Sequence, residues 1–238
     1  MSILIKLIKE LKEINYSGYI TFSRYNEPMS DIDTLKAVCA AIKKELPNCT
    51  LVSNTNGDFF NKENLTDLAI DELTIMDYDC KGRDWCLFKL KDLGFSDIER
   101  NGEFFIAKNN KITVLYYYNW PKVGRISDRG GLLRKRSTNL RRYACFEPQH
   151  FVGINYDGTV SPCCNIRNDA KQHQPYVLGD LKVNSLEEIL TSPKAIKFRE
   201  NCANNIFKQK SSPCKYCNNI GGRYTIQNGG ITAYEHHR

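Results

Sequence analysis

The sequence predicts an α/β fold: helices alternate with the strands of a parallel sheet, and a smaller region built on a β-hairpin follows. Three short apolar strands begin near Gly18, Cys49 and Glu72, and helical segments precede and separate them. Strands that alternate with helices form βαβ units, whose sheets are parallel. Further along, a turn at Asp157-Gly158 lies between two short apolar runs, which is typical of a hairpin.

Local patterns define the individual elements of the first part. Residues 1–15 place apolar side chains at helical spacing with charged residues on the other face, which predicts an amphipathic helix packed against the sheet. Ser30 and Asp31 begin a second helix, which ends at Pro47. The remaining predicted elements are strands at 18–23, 49–53 and 72–78, a polar helix at 61–69, a helix at 85–93, and strands at 103–107 and 112–118.

Two helices are predicted after the hairpin. Ser185 and Glu188 form a capping-box pattern, which predicts a helix over residues 186–190. Ser192-Pro193 then begins another helix with proline in its first turn.

Composition limits the class of protein. The chain has 238 residues, 41% of them hydrophobic and 26% charged, which is enough for a folded core and unlike a disordered chain. There is no run of 18 or more apolar residues, so we expect no membrane-spanning helix. Ten cysteines without a secretory signal indicate a reducing compartment, so we expect a cytoplasmic protein that uses its thiols for metal binding or chemistry.

The net charge of +7 is concentrated in one segment. Residues 122–142 contain eight basic residues and one acid, and the rest of the chain holds 26 basic and 26 acidic residues. Such a segment attracts an anionic substrate, or it is a solvated linker. No motif supports nucleic-acid binding.

Four cysteines have the pattern of a metal site. Cys145 precedes the predicted hairpin and Cys163 follows it, so both lie at the same end, and Cys214 and Cys217 form a C-x-x-C pair that needs only to dock there. Four thiolates suit either a structural zinc ion or an iron–sulfur cluster. Cys164 is interpreted as a buried thiol or a spare ligand, and Cys202, which has no partner at ligand spacing, as a buried thiol.

Several motifs in this region resemble one enzyme family. Residues 145–217 are similar to the SPASM/twitch domain of radical S-adenosylmethionine enzymes in the runs Cys-Phe-Glu-Pro at 145–148, Gly-Ile-Asn-Tyr-Asp-Gly-Thr-Val-Ser-Pro-Cys-Cys at 153–164, Leu-Gly-Asp at 178–180, Ser-Leu-Glu-Glu-Ile at 185–189 and the C-x-x-C pair at 214–217. Upstream, Asn26-Glu27-Pro28 resembles the family's Gly-Gly-Glu-Pro turn, residues 53–57 its Thr-Asn-Gly strand end, and residues 128–131 a connector before the auxiliary domain.

The resemblance implies a fold and a set of sites. It implies an incomplete (β/α) partial barrel that lacks its first strand over residues 1–142, and a SPASM/twitch domain over residues 143–238 with a β-hairpin, helices and one auxiliary 4Fe–4S cluster. Cys145, Cys163, Cys214 and Cys217 would hold that cluster. Asn26, Glu27 and Asn56 would line the site for the amino group of S-adenosylmethionine.

The sequence departs from the family in two motifs. Tyr25-Asn26 replaces the two glycines of the Gly-Gly-Glu-Pro turn, and a cluster-binding motif is missing. The C-x3-C-x2-C that binds the S-adenosylmethionine-cleaving cluster does not occur in it. We therefore expect a fragment, a degenerate homologue or a chain that a partner completes, and we expect the isolated chain to be inactive. A complete enzyme of this type abstracts hydrogen with a 5′-deoxyadenosyl radical, while the auxiliary cluster relays an electron or anchors substrate.

Two other functions remain open from the sequence. One is a non-catalytic iron–sulfur protein, and the other is a structural zinc module whose basic segment binds nucleic acid. The substrate is unknown, and an electron-donor protein is a further expected partner.

Overall fold

The computed structural model divides the chain into two compact units, Met1–Ile126 and Ser127–Arg238. The structure describes residues 2–22, 26–102, 104–118, 132, 141, 143–206 and 212–217, together with the secondary structure of 225–227 and 230–232. In the described residues, no helix is both long enough and apolar enough to cross a membrane.

The first unit is built on a six-stranded sheet in the order β1-β2-β3-β6-β5-β4. Four neighbouring strands are parallel: β1 (Tyr19–Thr21), β2 (Thr50–Thr55), β3 (Glu72–Met76) and β6 (Thr113–Tyr117). The helices before and between them are α1 (Ile3–Glu13), α2 (Ile32–Glu45), α3 (Lys62–Leu65) and α4 (Arg83–Asp92), and a 3-10 turn, Pro28–Asp31, leads into α2. The predicted parallel pairing of the first three strands is confirmed.

The far side of the sheet is antiparallel. β5 (Phe104–Lys108) pairs with β6, and β4 (Asp97–Asn101) pairs with β5. The sequence interpretation missed β4 because four of its five residues are exposed and polar. The signal was present, since Asn101-Gly102 is a hairpin dipeptide and Gly102 has φ +56°. The fold is therefore mixed α/β, and the partial barrel stays a prediction.

Alternating strand residues form the core of the first unit. Every second side chain of β2, β3, β5 and β6 is buried. Leu51, Leu73, Ile75, Val114 and Ala107 are each 0% exposed. This period of two is what a pleated strand produces when one face is fully covered.

α1 confirms the predicted amphipathic helix, with Ser2 as its N-cap. It is joined to α2 by an ion pair between Lys12 Nζ and Glu45 Oε2 at 2.8 Å. Leu11 is its buried residue, whereas Ile5 is 57% exposed.

The second unit contains a small antiparallel sheet and short helices. β7 (Gly153–Ile154), β8 (Thr159–Ser161) and β9 (Gly179–Asp180) pair in that order. The other elements are helices α5 (Glu147–His150), α6 (Leu186–Thr191) and α7 (Pro193–Ala203), 3-10 turns at Lys171–Tyr176 and Pro213–Tyr216, and the strand pair β10 (Thr225–Gln227) and β11 (Gly230–Thr232).

Local signals account for the turns and caps of this unit. Between β7 and β8, Gly158 adopts φ +89°, a conformation that glycine reaches without strain, and Asp157 Oδ1 accepts hydrogen bonds from the N–H and hydroxyl of Thr159. The predicted capping box is confirmed, because Ser185 and Glu188 exchange both hydrogen bonds at the start of α6. Ser192 caps α7 as predicted.

The basic segment falls largely outside the described residues. Of residues 122–142, the structure describes Leu132 and Arg141. The connector at residues 128–131 also lies outside them. The predicted division between residues 142 and 143 stays a prediction.

Candidate metal centre

Five cysteine thiols line one cavity in the second unit. Cys145 lies just before α5, Cys163 follows β8, Cys202 lies in the last turn of α7, and Cys214 and Cys217 belong to the 3-10 turn Pro213–Tyr216 and its end. The complete lining comprises Arg141, Cys145, Glu147, Pro148, Cys163, Asn165, Ile166, Phe198, Cys202, Pro213, Cys214 and Cys217. The four cysteines predicted as ligands are therefore brought together, although their role as ligands stays a prediction.

Main-chain hydrogen bonds hold the separate segments around this cavity. The Cys145 N–H donates to the Cys202 carbonyl at 2.9 Å, and the Arg141 N–H donates to the Lys215 carbonyl at 2.9 Å. The Ser212 hydroxyl caps the last turn by accepting from the Cys214 N–H at 3.3 Å. These bonds fix the backbones of Cys145, Cys202 and Cys214 independently of any metal.

Burial and a hydrogen bond between thiols raise the pKa of three cysteines in the cavity. It raises the pKa of Cys163 well above the usual range and also raises the pKa of Cys145. At Cys214, a hydrogen bond with the Cys202 thiol contributes most, burial comes next, and the pKa again rises well above the usual value. The neighbouring Arg141 charge lowers the pKa of both Cys145 and Cys214. None of the ten cysteines, all of which lie in the described part of the chain, forms a disulfide.

Polar side chains surround the sulfurs. Asn165 Nδ2 donates to Cys217 Sγ at 3.5 Å. Arg141 is 8% exposed and Glu147 6% exposed, and burial raises the pKa of the Glu147 carboxyl. The Arg141 Nε donates to the Tyr143 carbonyl at 3.0 Å, and its NH2 group donates to the Ala144 carbonyl at 3.3 Å.

The donor set fits an iron–sulfur cluster. Clusters of the 4Fe–4S type are held by four cysteine thiolates, each bound to a different iron, so the sulfurs line a cavity and do not meet at one point. In the part of the chain that the structure describes, no group of three or more His, Cys, Asp or Glu side chains is placed to hold a single metal ion. The absence of a single-ion site is compatible with a cavity lined by thiols, because a 4Fe–4S cluster spaces its cysteine ligands more widely than a single metal ion does.

The sequence interpretation missed Cys202 and Arg141. Cys202 has no partner at ligand spacing, and its only signal was its position seven residues after Ala195 and four residues after Phe198 on one face of a predicted helix. Ala195 is 0% exposed, and Phe198 lines the cavity with Cys202. Arg141 was grouped with the basic segment. Cys164, half-buried, does not line the cavity.

The second predicted site lies at the carboxyl ends of β1 and β2 in the first unit. Glu27 Oε1 accepts from the Thr55 hydroxyl at 2.6 Å and from the Met29 N–H at 3.1 Å, and Oε2 accepts from the Asn56 N–H at 2.7 Å. The Asn56 side chain bonds to Asp58, and Asn26 is exposed beside Glu27. The three predicted residues therefore lie together, and their role towards S-adenosylmethionine stays a prediction.

Comparisons with known proteins agree with this arrangement. Residues 145–218 match the SPASM family, an iron–sulfur cluster-binding domain. Over 218 residues, the chain is 25% identical to the S-adenosyl-L-methionine-dependent 2-deoxy-scyllo-inosamine dehydrogenase of Niallia circulans, a match that covers 90% of this chain and 78% of that protein.

Two solved structures share the fold. The crystal structure of BtrN in complex with AdoMet and 2-DOIA aligns with a TM-score of 0.67 and 20% identity, covering 97% of this chain and 82% of BtrN. The open conformation of BtrN aligns with a TM-score of 0.60 and 20% identity, covering 92% of this chain and 79% of BtrN. Residues 145–218 thus match the SPASM family of iron–sulfur cluster-binding domains, and most of the chain is similar to an S-adenosyl-L-methionine-dependent dehydrogenase.

Proposed function

We propose that this chain serves an S-adenosylmethionine-dependent oxidation of a hydroxyl-bearing substrate, and that its second unit holds an electron-accepting 4Fe–4S cluster through Cys145, Cys163, Cys214 and Cys217. The observation that carries the proposal is the single cavity lined by thiols from separate segments of the chain. The reaction class comes from the dehydrogenase of Niallia circulans.

The cluster, when bound, supplies a one-electron acceptor whose potential depends on its protein surroundings. The chain supplies rigid ligands, because the Cys145 and Cys214 backbones are hydrogen-bonded into the fold. It also shields part of the site from water, since Cys163 is 9% exposed and Cys202 is 2% exposed, whereas Cys145, Cys214 and Cys217 are half-buried. Oxidation of an alcohol to a ketone releases a hydrogen atom, a proton and one further electron. A 5′-deoxyadenosyl radical would take the hydrogen atom; it forms at a cluster whose C-x3-C-x2-C motif this sequence lacks and which a partner would supply. The auxiliary cluster would take the electron, and the proton would pass to solvent.

The candidate S-adenosylmethionine site uses Glu27 in two ways. A carboxylate has about four acceptor positions, and the bonds to Met29, Thr55 and Asn56 occupy three of them. Among the bonds that the described residues make, one position is then left, and it would receive the ammonium group of S-adenosylmethionine. Through its other bonds, Glu27 orients the turn that carries Asn56.

Metal analysis of the anaerobically purified and reconstituted chain tests the cluster. We expect about four irons and four sulfides per chain and a reducible electron paramagnetic resonance signal. Cys163→Ala and Cys214→Ala should lose most of the iron, whereas the matched control Cys164→Ala, next to Cys163 but outside the cavity lining, should retain it. Stoichiometric zinc without sulfide would refute the proposal and favour the structural zinc module.

Calorimetric titration with S-adenosylmethionine tests the second site. We expect Glu27→Gln to weaken binding at least tenfold. Thr55→Val serves as the control, because it removes one bond to Glu27 and leaves the carboxylate charge in place. Equal binding by the wild-type chain and Glu27→Gln would show that this carboxylate does not receive the ammonium group.

A further inference from the structure

One polar side chain joins two of the cysteine segments. Asn165 follows Cys163 by two residues, and its amide Nδ2 donates to the Cys217 sulfur at 3.5 Å, across 52 residues of chain. All three residues line the same cavity, and Asn165 is the only Asn or Gln among the described residues of that lining. Its side chain therefore reaches from the segment after β8 to the end of the C-x-x-C pair.

The fold holds both ends of this contact. Asn165 is 4% exposed, and the Ile166 N–H donates to the Cys163 carbonyl at 3.3 Å, which closes the turn on which Asn165 lies. At the accepting end, the Cys217 N–H donates to the Cys214 carbonyl at 3.3 Å. Main-chain hydrogen bonds on each side therefore set the distance between the amide nitrogen and the sulfur.

The chemistry of an amide suits this position. A cysteine that binds iron is a thiolate, which has lone pairs and no proton, so its sulfur can only accept hydrogen bonds. The NH2 group of asparagine has two hydrogens to donate and carries no charge. Asn165 can thus stabilise a ligand sulfur without adding an ionisable group to a lining that already contains Arg141 and Glu147.

We propose that Asn165 is a positioning residue for the auxiliary cluster: its side-chain amide donates to the Cys217 thiolate, orients that ligand and raises the reduction potential of the cluster. This inference rests on the proposed function, because it requires a cluster bound by Cys163 and Cys217.

The direction of the effect follows from charge. Reduction adds one negative charge to the cluster and its thiolates, so a hydrogen bond to a ligand sulfur stabilises the reduced form more than the oxidised form. Residues that contact the ligands of a metal site, and not the metal itself, commonly orient those ligands and tune the site. A higher potential makes the cluster a better acceptor of an electron from substrate.

Redox titration of the reconstituted chain, followed by electron paramagnetic resonance, tests the effect on the potential. At the poise that half-reduces the wild-type cluster, we expect Asn165→Leu to lower the reduced-to-oxidised ratio at least threefold, or by about 28 mV, since a tenfold change is 59 mV for one electron. Asn168→Leu is the matched control and should leave the ratio unchanged. Asn168 is 7% exposed, donates to Asp157 Oδ2 at 2.8 Å and does not line the cavity.

A second measurement tests the hydrogen bond itself and needs no variant. The wild-type chain is produced with nitrogen-15 in the side-chain amide of asparagine, and the electron spin echo modulation of its reduced cluster is compared with that of the unlabelled chain. We expect a nitrogen coupling that changes with the label, is lost in Asn165→Leu and is retained in Asn168→Leu. A residue that only supports the fold would give no such coupling.

The outcomes separate the inference from the function on which it depends. An unchanged potential in Asn165→Leu, with full iron content, would overturn the inference and leave the cluster intact. Absence of a label-dependent coupling in the wild-type chain would overturn it whatever the variants do. If Asn165→Leu loses its iron, the labelled wild-type chain decides, and presence of the coupling supports the bond to Cys217. A wild-type chain without iron and sulfide defeats the proposed function itself.

Discussion

Replacement of Glu27 by glutamine tests whether one carboxylate joins the ends of β1 and β2. Glu27 follows β1, and its two oxygens accept three hydrogen bonds from Met29, Thr55 and Asn56. Glutamine keeps one oxygen, which preserves the bonds to Met29 and Thr55. Its amide NH2 group then faces the Asn56 N–H, so two donors oppose each other where a charged acceptor had been.

The expected cost follows from the lost bond. A hydrogen bond to a charged group contributes about 1.5–3 kcal/mol, and a buried donor left without an acceptor costs a comparable amount. We therefore expect Glu27→Gln to lower the free energy of unfolding by about 1.5–3 kcal/mol. The distance from the Asn56 nitrogen to Glu27 Oε2 is 2.7 Å, which is short, as is typical of hydrogen bonds to a charged acceptor. The range for charged acceptors therefore applies to this bond.

Equilibrium unfolding in urea measures this loss, with the slope m expected to stay constant because the same surface is exposed. Glu99→Gln is the matched control: Glu99 is exposed on the edge strand β4, and this change should alter stability by less than about 0.5 kcal/mol. A loss in Glu27→Gln no larger than in the control would show that the carboxylate does not organise this turn.

Four further outcomes are expected. Replacement of Leu73, which is 0% exposed in β3, by alanine should lower the free energy of unfolding by about 2–5 kcal/mol. A decrease below about 1 kcal/mol in a urea titration would contradict the assigned core. Burial, and then the adjacent Asp71 carboxylate, raise the pKa of Glu72. Its contribution to stability is therefore present below its unfolded pKa of about 4.3 and lost as pH rises through the higher folded value. Urea titrations across pH should show this decline in the free energy of unfolding of the wild-type chain, by less than about 1 kcal/mol because Glu72 is half-exposed. The decline should be smaller in Glu72→Gln. Identical pH profiles for the two chains would contradict this expectation. Ser192→Ala should cost about 1 kcal/mol by removing the cap of α7, measured as a lower urea midpoint, and an unchanged midpoint would argue against the cap. The reconstituted chain, whose sequence has no C-x3-C-x2-C, should form no 5′-deoxyadenosine from S-adenosylmethionine and dithionite, and detection of that product by chromatography would contradict this expectation.

Secondary structure was predictable where neighbouring residues carry the signal. The capping box of α6 spans Ser185 to Glu188, and Ser192-Pro193 starts α7. Residues within a single helical turn therefore specify where each helix begins. The parallel strands were predictable because their apolar runs alternate with helices. β4 was missed because its edge position leaves its residues polar and exposed, so it lacks an apolar pattern.

The site was predictable in part for a related reason. Metal ligands recur at recognisable spacings, and a hairpin returns its two ends to one place, which made Cys145, Cys163 and the C-x-x-C pair candidates. The Glu27 network shows the limit of such patterns. Its three hydrogen bonds join residues on both sides of α2, and a motif match names the carboxylate without showing that Thr55 and Asn56 already bond to it.

The sequence by itself determined the parallel strands, the helix starts at Ser185 and Ser192, the hairpin turn at Asp157-Gly158 and the four candidate thiolates, because each depends on residues close in the chain or on ligand chemistry. Only the tertiary structure decided that Cys202 and Arg141 border the same cavity. Their positions depend on how α7 and the segment before α5 pack around the 3-10 turn. Packing of that kind follows from the summed burial of many side chains, and no spacing of residues in the chain records it.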